Sequence, residues 1–282
     1  MQRVTLPDGT SSSPVKVTSG VPQGAILSPY LFASHMGSLE PAGKHTEMVK
    51  FADDVAIAIP YQNSTDIEQL LTTELTNMKD WCNCNGLILN EKKTKVMLID
   101  KRRNKEELSI PNFDLSDEVK VLGVTLQNNL KWNAHVDRIC KTAAQRIYLL
   151  KVMKNLSVAR SDLIQVYKSH IQSVLEYNAP LLVGITKQNS SAMERIRKRV
   201  HRIICGAECN CDALTSLSSR REARALAFFK NMFEKNHILH HLCPAILPYS
   251  SHVNIPYSKT ERRAKSYIPF CSYLYNCSLK KF

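Results

Sequence analysis

Apolar positions recur with two different periods along the 282-residue chain. Up to about residue 131, short β-prone runs alternate with turn signals around a single long helical repeat. Beyond residue 133 the 3.6-residue repeat dominates. Residues 4–19 predict a hairpin, because β-prone runs flank "LPDGTSSSP", whose Asp8-Gly9 pair is a turn signal. "SGVPQGAILSPYLFASHM" follows as a Gly/Pro-punctuated loop entering a helix, with Ser28 and Pro29 suited to the N-cap and first turn. Residues 48–60 predict strand, turn and strand, with Asp53 and Asp54 at the tip. Thr65 and Glu68 have the spacing of a capping box, and Ile67, Leu70, Leu71, Leu75, Met78, Trp81 and Cys82 carry a helix on to Gly86. "LILNEKKTKVMLI" and "VKVLGVTL" predict strands, with the basic "KRRNKEE" between them as a solvated loop.

After that the pattern is helical. Val136, Ile139, Cys140, Ala143, Ile147 and Leu150 share a face. Leu163, Val166, Tyr167, Val174 and Leu175 define a second helix, Ile196, Val200 and Ile203 a third, and Arg220 to His240 a fourth. The last forty residues are rich in Pro, Tyr and Ser without a clear period, so mostly irregular structure is expected there. The fold class is α+β: an antiparallel sheet with packed helices at residues 1–131, a helical region at 132–215, and a basic helical or irregular region at 216–282. The boundary is placed near Trp132.

Charge follows the same division. The chain carries 38 Lys and Arg against 25 Asp and Glu, a net +13. Residues 1–130 hold 13 of the basic residues and 16 of the acidic ones, residues 131–282 hold 25 and 9. A near-neutral platform joined to a strongly basic part suits a polyanion such as nucleic acid better than general solvation. No apolar run approaches the roughly 20 residues that span a bilayer, and the N-terminus lacks a signal-peptide stretch. The nine cysteines are scattered without a framework. Reduced thiols in an intracellular protein, nuclear or cytoplasmic, are therefore expected.

The chemistry concentrates at "VKFADDVAIAIP". Neighbouring strand residues point to opposite faces, so Asp53 and Asp54 reach one ion only if a tight turn brings them together. Carboxylates suit Mg2+, which usually takes one or two of them and leaves its other positions to water and phosphate. Alone, the pair is equally an exposed turn in which Asp bonds its own backbone. Cys205, Cys209 and Cys211 near His201 have the wrong spacing for structural zinc. "RIRKRVHR" at 195–202 puts Arg195, Arg199 and Arg202 on one helical face, opposite Ile196, Val200 and Ile203, as in a helix following a phosphate backbone.

Three further stretches, in order, give the Asp pair its context: "SGVPQGAILSPYLF" before it, then "NGLILNEKKTKVM" and "VKVLGVTLQNNLKW" after it. Together they resemble the palm of a reverse transcriptase of a non-LTR, jockey-like retrotransposon. The helices after Trp132 resemble the thumb and following region of such polyproteins, and "SYIPFCSYLYN" their end segment. The resemblance implies RNA-directed DNA polymerase activity on an RNA template and a DNA primer with deoxynucleotides and Mg2+. Asp53 then resembles the metal-ligating carboxylate, with Asp54 its neighbour and Phe51 and Ala52 as strand-packing residues. Pro22, Gln23 and Gly24 resemble the loop against the templating base and incoming nucleotide. Lys93 resembles the lysine near the nucleotide's phosphates, in a turn shaped by Asn90 and Thr94. Leu122, Gly123 and Trp132 fall in a primer-grip-like stretch, and Arg195, Arg199 and Arg202 would hold nucleic-acid backbone.

In the family resembled, a second catalytic carboxylate comes from an earlier strand, before the Pro-Gln-Gly loop. The only acidic residue ahead of that loop here is Asp8, in a Pro-Asp-Gly-Thr turn. The expectation is a chain that starts inside the palm, binds Mg2+ weakly and does not polymerise alone. The alternative is a non-catalytic nucleic-acid-binding protein that uses the basic helical half.

Overall fold

The computed structural model describes residues 3–16, 20–61, 64–100, 113–206, 215–248 and 250–279, without the side chains of Ser64 and Thr65. It divides into two compact units, Met1–Leu122 and Gly123–Phe282, and belongs to the α+β class. The "KRRNKEE" loop, the Thr65 side chain of the capping box, Cys209 and Cys211 lie outside the described residues.

In the first unit, Leu6, Thr10 and the Thr5–Ser11 bridge close a tight hairpin in which Gly9 takes φ +85°. Helix α1 spans Ser28–Gly37, strands β1 and β2 span Glu47–Phe51 and Asp54–Ala58, and helix α2 spans Ser64–Cys84. β1 and β2 are antiparallel, with Glu47 opposite Ala58 and Phe51 opposite Asp54, so the connecting loop is only Ala52 and Asp53. Alternation puts Met48, Lys50, Val55 and Ile57 on one face, all half-buried, and Val49, Phe51 and Asp54 on the other, all exposed. The buried apolar side chains described in this unit are few: Met36, Leu39, Ile67 and Cys82.

Two strand expectations need correcting. "LILNEKKTKVMLI" forms no strand. It carries a turn at 91–93 and one bridge, Val96–Leu115, and Ile88 is 96% exposed. Alternation alone makes no strand where a neighbour offers its N–H and C=O groups at a single residue. "VKVLGVTL" is not one strand but two, β3 at Glu118–Val121 and β4 at Val124–Gln127. Between them Leu122 and Gly123 have φ +47° and +83°. Two left-handed residues in succession are the type I′ turn that matches strand twist.

The second unit is built from α3 (Asn133–Asn155), α4 (Arg160–Val166), a π-helical stretch (Tyr167–Gln172), α5 (Ser173–Leu175), a 3-10 turn (Ala179–Leu182), α6 (Lys187–Cys205) and α7 (Leu217–Asn231). One core gathers Val136, Ile139, Ala143, Ile147 and Leu150 from α3 with Leu163, Tyr167, Ile171 and Leu175, and with Met193, Val200 and Ile204 of α6. α7 stops at Asn231 rather than reaching His240. Successive i+3 turns through Phe233, Glu234 and His237 then follow. The bend lets Met232, Phe233 and Leu239 join Ala225 and Phe229 in a second core.

The C-terminal stretch is also more ordered than expected, with helices α8 (Glu261–Ala264) and α9 (Tyr267–Leu279). α9 is apolar on several sides, which hides its period. Its Pro269 sits in the first turn, where the missing N–H costs nothing. Among the described residues, no helix is long and apolar enough to cross a membrane.

Candidate functional site

Asp53 is the second residue of the β1–β2 loop and Asp54 the first of β2. Both are exposed, and neither side chain has an ion-pair or hydrogen-bond partner among the described residues. The first loop residue, Ala52, holds φ +50°, a left-handed conformation that costs a residue with a Cβ about 1–2 kcal/mol. Phe51 is 64% exposed, so it does not pack beneath the strand as expected.

A lysine fixes the hairpin. Lys50 Nζ donates to the carbonyls of Met36 at 3.0 Å, Gly37 at 3.2 Å and Leu39 at 2.7 Å. Met36 and Gly37 end α1 and Leu39 follows it, so a cation there complements the negative end of the helix. At the other end of α1, Pro22 to Ala25 form a turn closed by Ala25 N–H to the Pro22 carbonyl at 3.4 Å, with Gly24 at φ +84°. Positive φ in the third position is the type II turn, which calls for glycine. Nothing lies within 4 Å of a Cβ added to Gly24, so backbone conformation rather than crowding explains it here. Ser28 is buried in the first turn and is not the N-cap. Its hydroxyl donates back to the Pro22 carbonyl at 2.5 Å and pins the turn onto the helix.

Helix α2 holds the segment that joins α1 to β1. Glu74 accepts the N–H groups of Ala42 at 3.0 Å and Gly43 at 2.8 Å. Asn77 donates to the Glu40 carbonyl at 2.8 Å, and Trp81 Nε1 donates to Ser38 Oγ at 3.1 Å. Burial works to raise the Glu74 pKa, but the Ala42 and Gly43 N–H groups and the Thr46 hydroxyl outweigh it and hold the carboxyl below its ordinary value. Gly43 is needed here, since a Cβ would sit 2.6 Å from Thr46 Oγ1 and 3.1 Å from Glu74 Oε1.

Neither Lys50 nor Glu74 was singled out from the sequence. Both leave a trace there. Lys50 occupies the face of β1 that alternation assigns to Met48, and Glu74 falls in register with Ile67, Leu71 and Met78.

Lys93 lies in a turn organised by Asn90, whose carbonyl accepts Lys93 N–H at 3.1 Å, Thr94 N–H at 3.2 Å and Thr94 Oγ1 at 3.1 Å. The Lys93 side chain is exposed. No hydrogen bond or ion pair among the described residues joins Asp53 or Asp54 to Lys93 or to the Pro-Gln-Gly turn.

In the second unit, a Cβ on Gly123 would lie 3.2 Å from the Tyr177 ring. Trp132 precedes α3 and meets His135 edge to face, with ring centres 6.2 Å apart. His135 is fully buried, and its Nδ1 accepts the Thr125 N–H at 3.3 Å. Burial and then Arg138 lower its pKa, which keeps the ring neutral. Arg195, Arg199 and Arg202 are exposed on α6 while Met193, Val200 and Ile204 are buried behind them. Arg197 instead pairs with Glu194 at 2.5 Å. α7 is locked onto this unit by Glu176, which is buried and takes Arg220 and, at 2.9 Å, Arg224. Cys205 accepts from Arg160 Nη2 at 3.3 Å.

The arrangement is a platform whose two exposed carboxylates sit on a strained turn, and a helical unit with an outward arginine row. Comparison with known proteins gives this arrangement a context. Residues 1–126 match the family Reverse transcriptase (RNA-dependent DNA polymerase). Over 207 residues the chain is 25% identical to "Probable RNA-directed DNA polymerase from transposon X-element" of Drosophila melanogaster, covering 68% of this chain and 22% of that protein. Over 218 residues it is 24% identical to "RNA-directed DNA polymerase from mobile element jockey" of the same organism, covering 71% and 23%. A third relative, "Probable RNA-directed DNA polymerase from transposon BS", is 26% identical over 156 residues, or 51% of this chain and 17% of that protein. The chain thus spans under a quarter of the length of the first two relatives. No solved structure matches it.

Reverse transcriptases generally use a divalent metal. Asp53 and Asp54 fit such an ion in kind, as hard oxygen donors, but not in number. Among the described residues no group of three or more His, Cys, Asp or Glu gathers to hold a metal. Two carboxylates can recruit a magnesium ion whose other positions go to water and phosphate. They do not by themselves position two ions.

Proposed function

We propose that the chain is the palm and thumb portion of an RNA-directed DNA polymerase carried by a mobile element, acting on an RNA template and a DNA primer with deoxynucleotides. The observation that carries this reading is the unpartnered Asp53–Asp54 pair on a hairpin that Lys50 ties to the helix following the Val-Pro-Gln-Gly turn. Asp53 and Asp54 hold Mg2+, which supplies charge stabilisation to phosphoryl transfer when bound. The Pro22-Gln23-Gly24 turn presents backbone to the templating base and nucleotide, and Lys93 offers a cation to the nucleotide's phosphates. Leu122, Gly123 and Trp132 support the primer end, while Arg195, Arg199 and Arg202 follow the duplex backbone.

A second reading, a non-catalytic nucleic-acid binder, is favoured by one observation. The arginine row of α6 stands complete on its own element, independent of the carboxylates. One experiment separates the two. Mg2+ titration by calorimetry, with and without primer–template duplex, is expected to show weak binding that strengthens on duplex with nucleotide. Asp53→Asn should abolish it, while Arg195→Ala/Arg199→Ala/Arg202→Ala should leave the metal term intact and lower the salt slope of duplex binding by about one unit per arginine. Metal binding indifferent to Asp53→Asn would leave the binder reading standing.

A further inference from the structure

The C-terminal part of the helical unit carries a surface that neither the carboxylate hairpin nor the arginine row of α6 explains. α9 packs inward through Tyr267 and Tyr275, whose rings meet Phe229 of α7 at 6.4 and 6.1 Å. Tyr273 emerges elsewhere on α9 and, with the half-buried Phe270 and with Ile255, Pro256, Tyr257 and Ser258, lines an open, mainly apolar groove of about 400 Å³. Tyr257 is 79% exposed and Tyr273 57%. The Cys277 side chain lies beside the Tyr273 hydroxyl one turn along the helix.

The edge of the groove is cationic. Lys259, Arg262, Arg263 and Lys265 follow Tyr257 within eight residues, against one acid, Glu261. Lys265 is neutralised by Glu261, and Arg262 donates to the Asn129 carbonyl. Lys259 and Arg263 are exposed and have no ion-pair partner among the described residues. Thr260 caps α8 by accepting the Arg263 N–H at 3.2 Å, which fixes where that arginine starts.

Exposed aromatic rings beside unneutralised cations suit a ligand that is flat and apolar in one part and anionic in the next. An apolar peptide would leave the cations unused. A duplex keeps its bases stacked inside and offers the rings nothing. A single strand offers both, since any unpaired base has a face to stack and a phosphate beside it. We propose that this groove binds single-stranded nucleic acid, with unpaired bases stacking on Tyr257 and Tyr273 and the adjoining phosphates held by Lys259 and Arg263. It would be a second nucleic-acid contact, separate in kind from the duplex-following α6 and not dependent on the polymerase reading.

The test is fluorescence anisotropy of the full 282-residue chain with a labelled oligothymidylate, run beside a duplex of equal length. Tyr257→Ala/Tyr273→Ala is expected to weaken single-strand binding about tenfold or more, on a stacking contribution of about 1–3 kcal/mol per base. Duplex binding should be unchanged, and Tyr257→Phe/Tyr273→Phe should keep single-strand affinity. Lys259→Gln/Arg263→Gln should lower the single-strand salt slope by about 0.7 per residue. Single-strand binding untouched by the Ala pair overturns the proposal, as does an equal loss on both substrates. A groove variant that instead dissociates a self-associated protein in sedimentation also overturns it and gives the groove to a second copy. The α6 arginine variant, run in parallel, reports on duplex binding, so failure of either reading is seen separately.

Discussion

The first unit and the helical unit are held together by different forces. Around α3 and α6 the apolar interior is dense, with Val136, Ala143, Leu150, Leu163, Ile171 and Val200 at 0% exposure. Around the hairpin the described apolar core is thin, and order comes from directed bonds: Lys50 to the end of α1, Glu74 to Ala42 and Gly43, Asn77 to Glu40, Trp81 to Ser38. Apolar burial is non-directional and tolerates repacking. A few hydrogen bonds define geometry sharply but fail one at a time. The carboxylate pair therefore sits where position is specified by named bonds, and the arginine row sits where it is specified by bulk packing.

The largest expected effect breaks the packed side of this contrast. Leu163→Ala removes a fully buried side chain from the core of the helical unit and should cost about 2–5 kcal/mol. The chain has two tryptophans, Trp81 in the first unit and Trp132 in the second, so each unit has its own reporter. In a Trp81→Phe background, urea unfolding followed through Trp132 should shift to clearly lower denaturant. In a Trp132→Phe background the Trp81 transition should stay where it was. Equal shifts of both would mean one cooperative body and would remove the contrast.

Sequence pattern caught the packed side better. The periodic apolar residues of α3, Val136 to Leu150, all lie in or against the core, because a helix that buries one stripe must repeat it. The β1–β2 hairpin was equally legible from its two apolar runs and the turn between them. What escaped were features set by bonds or by φ. Lys50 and Glu74 resemble ordinary surface charges until a carbonyl or an N–H is placed beside them. The "VKVLGVTL" run shows continuous β propensity, and only the left-handed backbone at Leu122 and Gly123 folds it in two. α9 escaped for the opposite reason, being apolar on too many sides to show a period.

A middle-sized effect tests the bonded side. Glu74→Gln keeps the size of the side chain but cannot present two charged acceptors to Ala42 and Gly43, and should cost about 1–3 kcal/mol. The Trp81 reporter should register it and the Trp132 reporter should not. Because Glu74's folded pKa is depressed, its contribution is present above the unfolded value near 4.5 and is lost as pH falls through the lower folded value. Acid should therefore destabilise the Trp81 transition below about pH 4.5, and Glu74→Gln should flatten that dependence. An unchanged acid profile in the variant would show that Glu74 does not govern this unit.

The smallest effect probes the turn itself. Ala52 holds φ +50° beside two unneutralised carboxylates, a conformation glycine adopts without a Cβ penalty. Two opposing terms follow for Ala52→Gly. Relief of the left-handed strain favours the variant by about 1–2 kcal/mol, and the greater freedom of glycine in the unfolded chain takes back about 0.4–1 kcal/mol. The net should be a slight stabilisation, well under 2 kcal/mol, seen as a small rise in the Trp81 midpoint. Metal affinity supplies the sharper readout. If the alanine keeps Asp53 and Asp54 in one arrangement, a looser glycine turn should weaken Mg2+ binding even as the fold becomes slightly more stable. Stability and affinity rising together would instead mean that the strain at Ala52 does nothing for the carboxylates, and that Lys50 alone sets where they point.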